Sequence, residues 1–214
     1  MQRSHFIVLE GVDGAGTTTH TRELGKALKA ADVLVHTTAE PSSGPMGALL
    51  RQTLMGRVVV SDGGGDTRPP SWNTMALLFA ADRLDHVETE LAPNLEDGVT
   101  VICDRYYHSS VAYQSITGGG VDAIGWIRDI NRYARRPDLT LVLDVPPDVA
   151  AERRANRRGE EIFDAEPIQE QLSGFYGGLE QHFPGERIVH VDAVGDVKTV
   201  AARVLGEVQA LRAG

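Results

Sequence analysis

The segment 9-LEGVDGAGTTTHT-21 places four residues between Gly11 and Gly16 and follows them with Thr17 and Thr18. A G-x-x-x-x-G spacing lets backbone N–H groups turn inward on phosphate oxygens, and the helix that follows adds its positive N-terminal end. Gly11, Val12, Asp13, Gly14, Ala15, Gly16, Thr17, Thr18 and Thr19 are therefore candidate phosphate-binding residues. Thr18 falls on the position whose hydroxyl meets Mg²⁺. Thr17 stands where such loops carry a lysine, so the cation of the motif is missing. A glycine-rich turn ahead of an ordinary helix is the competing reading of the segment. A second cluster, 101-VICDRYYHSS-110, brings Asp104 and Arg105 out of an apolar run. A carboxylate there can hold Mg²⁺ directly or through water, and a guanidinium can fork onto phosphate. A structural Asp–Arg pair is the alternative.

These residues need a scaffold that presents them together. Short apolar runs at 5–10, 33–38, 98–104, 138–145 and 187–193 read as buried parallel strands. The spacers between them are long enough for crossover helices, at about 18–31, 45–56, 71–92, 107–116, 121–134, 147–156, 165–182 and 196–212. The pattern is an α/β fold, and in such sheets ligands gather at the carboxyl ends of the strands, where both clusters fall. Residues 57–70, RVVVSDGGGDTRPP, read as a mobile surface loop, with an interdomain linker as the rival. The run at 152–164, basic residues after a helix start followed by acids, lacks clear structure and reads as a solvated helix face.

With 214 residues, 42% apolar, the chain can bury one good core. Acidic residues outnumber basic ones by 30 to 21, a net charge of −9, which argues against nucleic-acid polymers and membrane surfaces as partners. The single Cys103 excludes an intrachain disulfide framework and fits a reducing compartment. No long apolar stretch or leader pattern is visible, so a cytoplasmic protein is expected.

The runs FIVLEGVDGAG, Glu40-Pro41, LLFAADRLDHV, CDRYYHSSVAYQ and RPDLTLVLDV occur in this order, and together they resemble the thymidylate kinase family across nearly the whole chain. The resemblance implies a single P-loop kinase domain with a five-stranded parallel sheet of order 2-3-1-4-5, Mg²⁺-dependent transfer of the γ-phosphoryl of ATP to dTMP, and a homodimer. It implies that Asp13 contacts the sugar 3′-hydroxyl and orients Arg105, the arginine for the acceptor phosphate. Phe79 would stack on thymine and Arg83 reach its O4 edge, although Phe79 read alone is a core residue. Tyr113 would stand against the sugar 2′ position and Gln114 pair with the base, with Glu40, Pro41, Ser109 and Ser110 nearby. Thr18 and Asp104 would serve the metal. Arg153, Arg157 and Arg158 lie in the family's lid, and because Ala15 occupies the loop position where some members carry a catalytic arginine, the chain resembles those that supply it from the lid.

The chain departs from the family at Ala39, at Ser42-Ser43, and above all at Thr17. A cation about 4 Å from a phosphate oxygen is worth roughly 4 kcal/mol at an effective dielectric near 20, about a thousandfold in rate. Three outcomes are open: the lid arginines with Mg²⁺ replace the charge, the enzyme is slow, or the chain is a nucleotide-binding regulatory module. A kinase for another deoxynucleoside monophosphate is the nearest enzymatic rival. The intact acceptor side favours compensation.

Overall fold

The computed structural model describes residues 4–61, 63–155 and 166–213. Its frame is a parallel sheet of β1 (Phe6–Glu10), β2 (Val35–Ala39), β3 (Thr100–Asp104), β4 (Leu139–Asp144) and β5 (Ile188–Asp192). The spatial order is β2-β3-β1-β4-β5, as expected. β1 and β3 are buried throughout, because helices cover both faces of the sheet and leave no solvent side to demand alternation. Registers such as Leu9 with Asp104 and Leu9 with Leu141 bring the carboxyl ends of β3, β1 and β4 to one edge. The loops that leave this edge carry the chemistry.

Eight helices of eight residues or more are described: α1 (Thr17–Ala30), α2 (Pro45–Leu54), α3 (Trp72–His86), α4 (Tyr107–Gln114), α5 (Ala123–Ile130), α6 (Pro147–Ala155), α7 (Glu166–Tyr176) and α8 (Val197–Ala213). The helix expected over 71–92 keeps α-helical bonding only to His86, then widens into a π turn at Val87–Leu91 before a last turn at Ala92–Glu96. Pro93 has no N–H to continue the regular ladder, which accounts for the break. The stretch 57–70 is not wholly irregular: Val60–Ser61 pairs antiparallel with Thr67–Arg68. Its glycine run forms the turn, and the strands are too short for alternation to show in sequence. None of its described residues joins the buried core, whose apolar side chains form one cluster from Phe6 to Leu211.

Candidate active site

The loop between β1 and α1 is shaped by its glycines. Gly16 holds the N-cap of α1 at φ 97° with no side-chain cap, so the first N–H groups of the helix remain for a ligand. Gly14, at φ 92°, lies so close to α6 that a Cβ there would strike the Ala150 carbonyl oxygen. The loop is thus pressed against the helix that carries Arg153. Val12 and Ala15 are buried in the core behind the loop, and Ala15 N–H bonds the Val12 carbonyl at 3.0 Å.

A cavity of about 810 Å³ opens in front of this loop. Asp13, Gly14, Gly16, Thr17, Thr18 and Thr19 line one end, and Glu40, Pro41, Phe79, Arg83, Asp104, Arg105, Ser109, Ser110, Tyr113 and Gln114 line the rest. Arg153 also lines it. Gly11, Val12 and Ala15 do not reach its wall, while Arg157 and Arg158 lie outside the described residues. Sequence reasoning passed over His20, Leu54, Tyr106, Gly195, Asp196 and Val197, which line the same space. For 195–197 a signal existed: Gly-Asp follows the carboxyl end of β5 and opens a helix.

Arg105 adopts φ 68°, an uncommon conformation for an arginine, and this turns its side chain back toward the loop. There its Nη2 meets Asp13 Oδ1 at 2.6 Å, and its Nη1 donates to the Gly11 carbonyl at 2.9 Å and to Ser109 Oγ at 3.1 Å. Tyr113 presents its ring face 5.4 Å from the guanidinium carbon. Behind the pair, α7 contributes Gln169, whose Nε2 donates to Asp13 Oδ2 at 3.0 Å, and Tyr176, whose hydroxyl donates to Glu10 Oε2 at 2.9 Å. Neither residue was expected.

Glu10 is buried without solvent contact. Burial alone would raise its pKa, but the close approach of His108, at 3.7 Å, with Arg105 and Ser109, more than reverses this and lowers it. His108 is the mirror case: burial would lower its pKa, and the Glu10 and Glu186 carboxylates beside it raise it. His108 Nε2 lies 2.9 Å from Glu186.

Arg83 is 1% exposed and held on several sides. Its Nε donates to Glu40 at 2.9 Å and its Nη2 lies 2.6 Å from the same carboxylate. Nη2 also donates to Ser110 at 3.0 Å, and Nη1 bonds Asn131. Three of the five guanidinium N–H groups donate hydrogen bonds, Nη2 pairs with the Glu40 carboxylate besides, and one N–H on Nη1 is left uncommitted among the described residues. Ser109 and Ser110 thus act on the two arginines, where the sequence assigned them only to the neighbourhood of the base. Glu40 leads into a cis bond to Pro41 and is also met by His86 Nδ1 at 3.2 Å. Phe79 is half-buried at the cavity wall, not enclosed in the core. Gln114 is 1% exposed, and its Oε1 is buried without a hydrogen-bond partner among the described residues.

At the loop end, Thr18 Oγ1 donates to Asp104 Oδ2 at 2.5 Å, while Asp104 Oδ1 is buried and unpartnered among the described residues. A hydroxyl beside a carboxylate with a spare oxygen suits Mg²⁺, which takes few protein ligands and fills its shell with waters and phosphates. Arg153 sends Nη1 to within 3.4 Å of the Gly14 and Ala15 carbonyls, and its Nη2 donates to the Ala193 carbonyl at 3.1 Å. Arg154, also unforeseen, donates to the Asp13 carbonyl at 2.8 Å.

A glycine-rich loop at a helix N-terminus, a Thr–Asp pair beside it and a buried pocket next door define a P-loop nucleotide phosphotransferase. Comparison with known proteins narrows this. The family model for thymidylate kinase matches residues 9–204. A probable thymidylate kinase of Thermococcus kodakarensis is 36% identical over 96% of this chain and 98% of its own. A thymidylate kinase of Rhodopseudomonas palustris is 35% identical over 94% and 87%, and a probable thymidylate kinase of Pyrobaculum calidifontis 41% identical over 75% of each chain. The chain belongs to the thymidylate kinase family.

Proposed function

We propose that this single-domain protein transfers the γ-phosphoryl of ATP to dTMP, giving dTDP and ADP, with Mg²⁺ at Thr18 and Asp104. The observation that carries the choice of acceptor is that one cavity is lined by Gln114, whose Oε1 has no hydrogen-bond partner among the described residues, and by Arg83, which keeps one N–H uncommitted among them. One acceptor and one donor suit the N3–H and O4 edge of thymine. Cytosine presents an acceptor and a donor in those places and would leave both protein groups opposed, a mismatch that polar sites reject strongly. Guanine has the right edge on a two-ring frame. Phe79 supplies a stacking face for one ring. Tyr113 stands against the 2′ position and disfavours a ribonucleotide.

The acceptor is already an anion, so the task is to align two polyanions and neutralise them. Arg105 binds the acceptor phosphate, held in position by Asp13, Ser109 and the Gly11 carbonyl. The loop N–H groups hold the donor phosphates. Thr18 and Asp104 would hold Mg²⁺, which would supply charge neutralisation for the phosphates. Arg153 brings a guanidinium to the same loop from α6 and, with the lid, offsets the charge that Thr17 lacks. No described helix is long and apolar enough to cross a membrane. Met46 and Leu49 on α2, Leu77 and Leu84 on α3 and Trp126 on α5 are exposed apolar side chains on helices that pack side by side, and they support a homodimer through this face.

A panel of dTMP, dUMP, dCMP, dGMP and thymidine with ATP tests the assignment. The first two are expected far ahead; equal use of dCMP would refute the pairing drawn for Gln114 and Arg83.

A further inference from the structure

His20 stands three residues beyond Thr17 on α1, close to one turn of helix further on. The residue is 4% exposed, yet it lines the cavity. Its ring edge lies against the phosphate loop, where a Cβ on Gly16 would stand 3.4 Å from Cδ2 and 3.6 Å from Nε2. Nδ1, on the other side of the ring, is buried with no hydrogen-bond partner among the described residues. A neutral imidazole carries one proton, and a buried donor without a partner is costlier than a buried acceptor without one. The proton therefore belongs on Nε2, the nitrogen at the loop. The ring presents an N–H donor at the edge of a loop whose usual cation is absent.

We propose that His20 is a binding residue for the donor nucleotide, its Nε2–H donating to a phosphate oxygen of ATP on the side of the loop that faces Arg153. The assignment rests on reading the loop as the ATP site. It gives Thr17 a structural sense: a buried threonine there keeps the approach to the ring open, where a long cationic chain would compete for the same oxygens. The donor site is then built from backbone N–H groups, one imidazole and one arginine.

The experiment compares wild type, His20→Gln and His20→Leu by calorimetric titration with MgATP and, separately, with dTMP, alongside KM and kcat for each substrate. A hydrogen bond to a charged phosphate is worth roughly a tenfold change in affinity or more. His20→Leu should weaken ATP binding and raise its KM by about that factor, with the KM for dTMP within about twofold and kcat changed less than KM. His20→Gln retains an amide N–H and should recover most of the loss. Unchanged ATP affinity in folded His20→Leu overturns the proposal, as does equal loss of ATP and dTMP binding, which marks a packing role. Wild type that binds dTMP but not MgATP overturns the reading of the loop itself. In wild type labelled with ¹⁵N-histidine, the Nε2 resonance of His20 should shift on adding MgATP and stay put on adding dTMP; the absence of that shift also sinks the proposal.

Discussion

Replacing Arg153 with alanine removes the cation that meets the Gly14 and Ala15 carbonyls and leaves every acceptor-side contact in place. Its Nη1 lies 3.4 Å from the Gly14 and Ala15 carbonyls. A phosphate oxygen bonded to Gly16 N–H, on the far side of the Ala15–Gly16 peptide, stands about 8 Å from the guanidinium, one contact, one peptide unit and one hydrogen bond away. At an effective dielectric near 20 this is roughly 2 kcal/mol of attraction, and about thirtyfold in kcat when charge has built up in the transition state. The carbonyl contacts take no charge from the guanidinium, so little of the effect is cancelled. A coupled assay for ADP at saturating dTMP and MgATP would show kcat down about thirtyfold, with KM for dTMP unchanged. Adding Thr17→Lys to Arg153→Ala should recover at least a tenfold share, and Thr17→Lys alone should gain less. A kcat for Arg153→Ala within about threefold of wild type would refute the reasoning.

Three further outcomes follow from the packing. Gly14→Ala forces a left-handed residue to carry a Cβ against Ala150; the backbone cost is about 1–2 kcal/mol, and the displaced α6 should lower kcat roughly 10- to 100-fold, measured by thermal melts and the same ADP assay. His108→Gln breaks a buried ion pair at a cost of about 3 kcal/mol. The raised pKa of His108 stabilises the fold fully below the unfolded value of 6.5 and loses that contribution as pH climbs through the folded value. The lowered pKa of Glu10 acts above 4.5 and is lost as pH falls through its folded value. The stability gap between wild type and His108→Gln, from urea unfolding, should therefore be widest between pH 4.5 and 6.5 and narrow on the alkaline side. Leu77→Glu with Leu84→Glu puts two charges on the exposed stripe of α3 and should convert a dimer to a monomer in sedimentation velocity.

The sheet was legible because both its faces are covered: runs such as FIVLE and TVICD are apolar without alternation, and the order followed from the family resemblance. Helix ends fell within a few residues where a glycine or proline marks them, as at Gly16 and Pro45. The break in α3 at Val87 was not legible, since Pro93 exerts its effect upstream through bonds that periodicity does not register. Within the site, loop and strand-end residues could be read from spacing. Gln169, Tyr176 and Arg154 could not, because each acts on Asp13, Arg105 or Glu10 across at least 71 positions of sequence, a relation that only the fold creates. Ser109 and Ser110 show the same limit in another way: adjacent residues point to different arginines, Arg105 and Arg83, because they sit on different faces of α4.

The most direct test of the whole account is ³¹P NMR of the purified protein incubated with ATP and dTMP. Steady growth of dTDP and ADP resonances in Mg²⁺, abolished by chelation, is the predicted result. A protein that binds both nucleotides tightly and leaves their spectra unchanged over hours would contradict it, and would show that a loop with threonine for lysine holds phosphates without moving them.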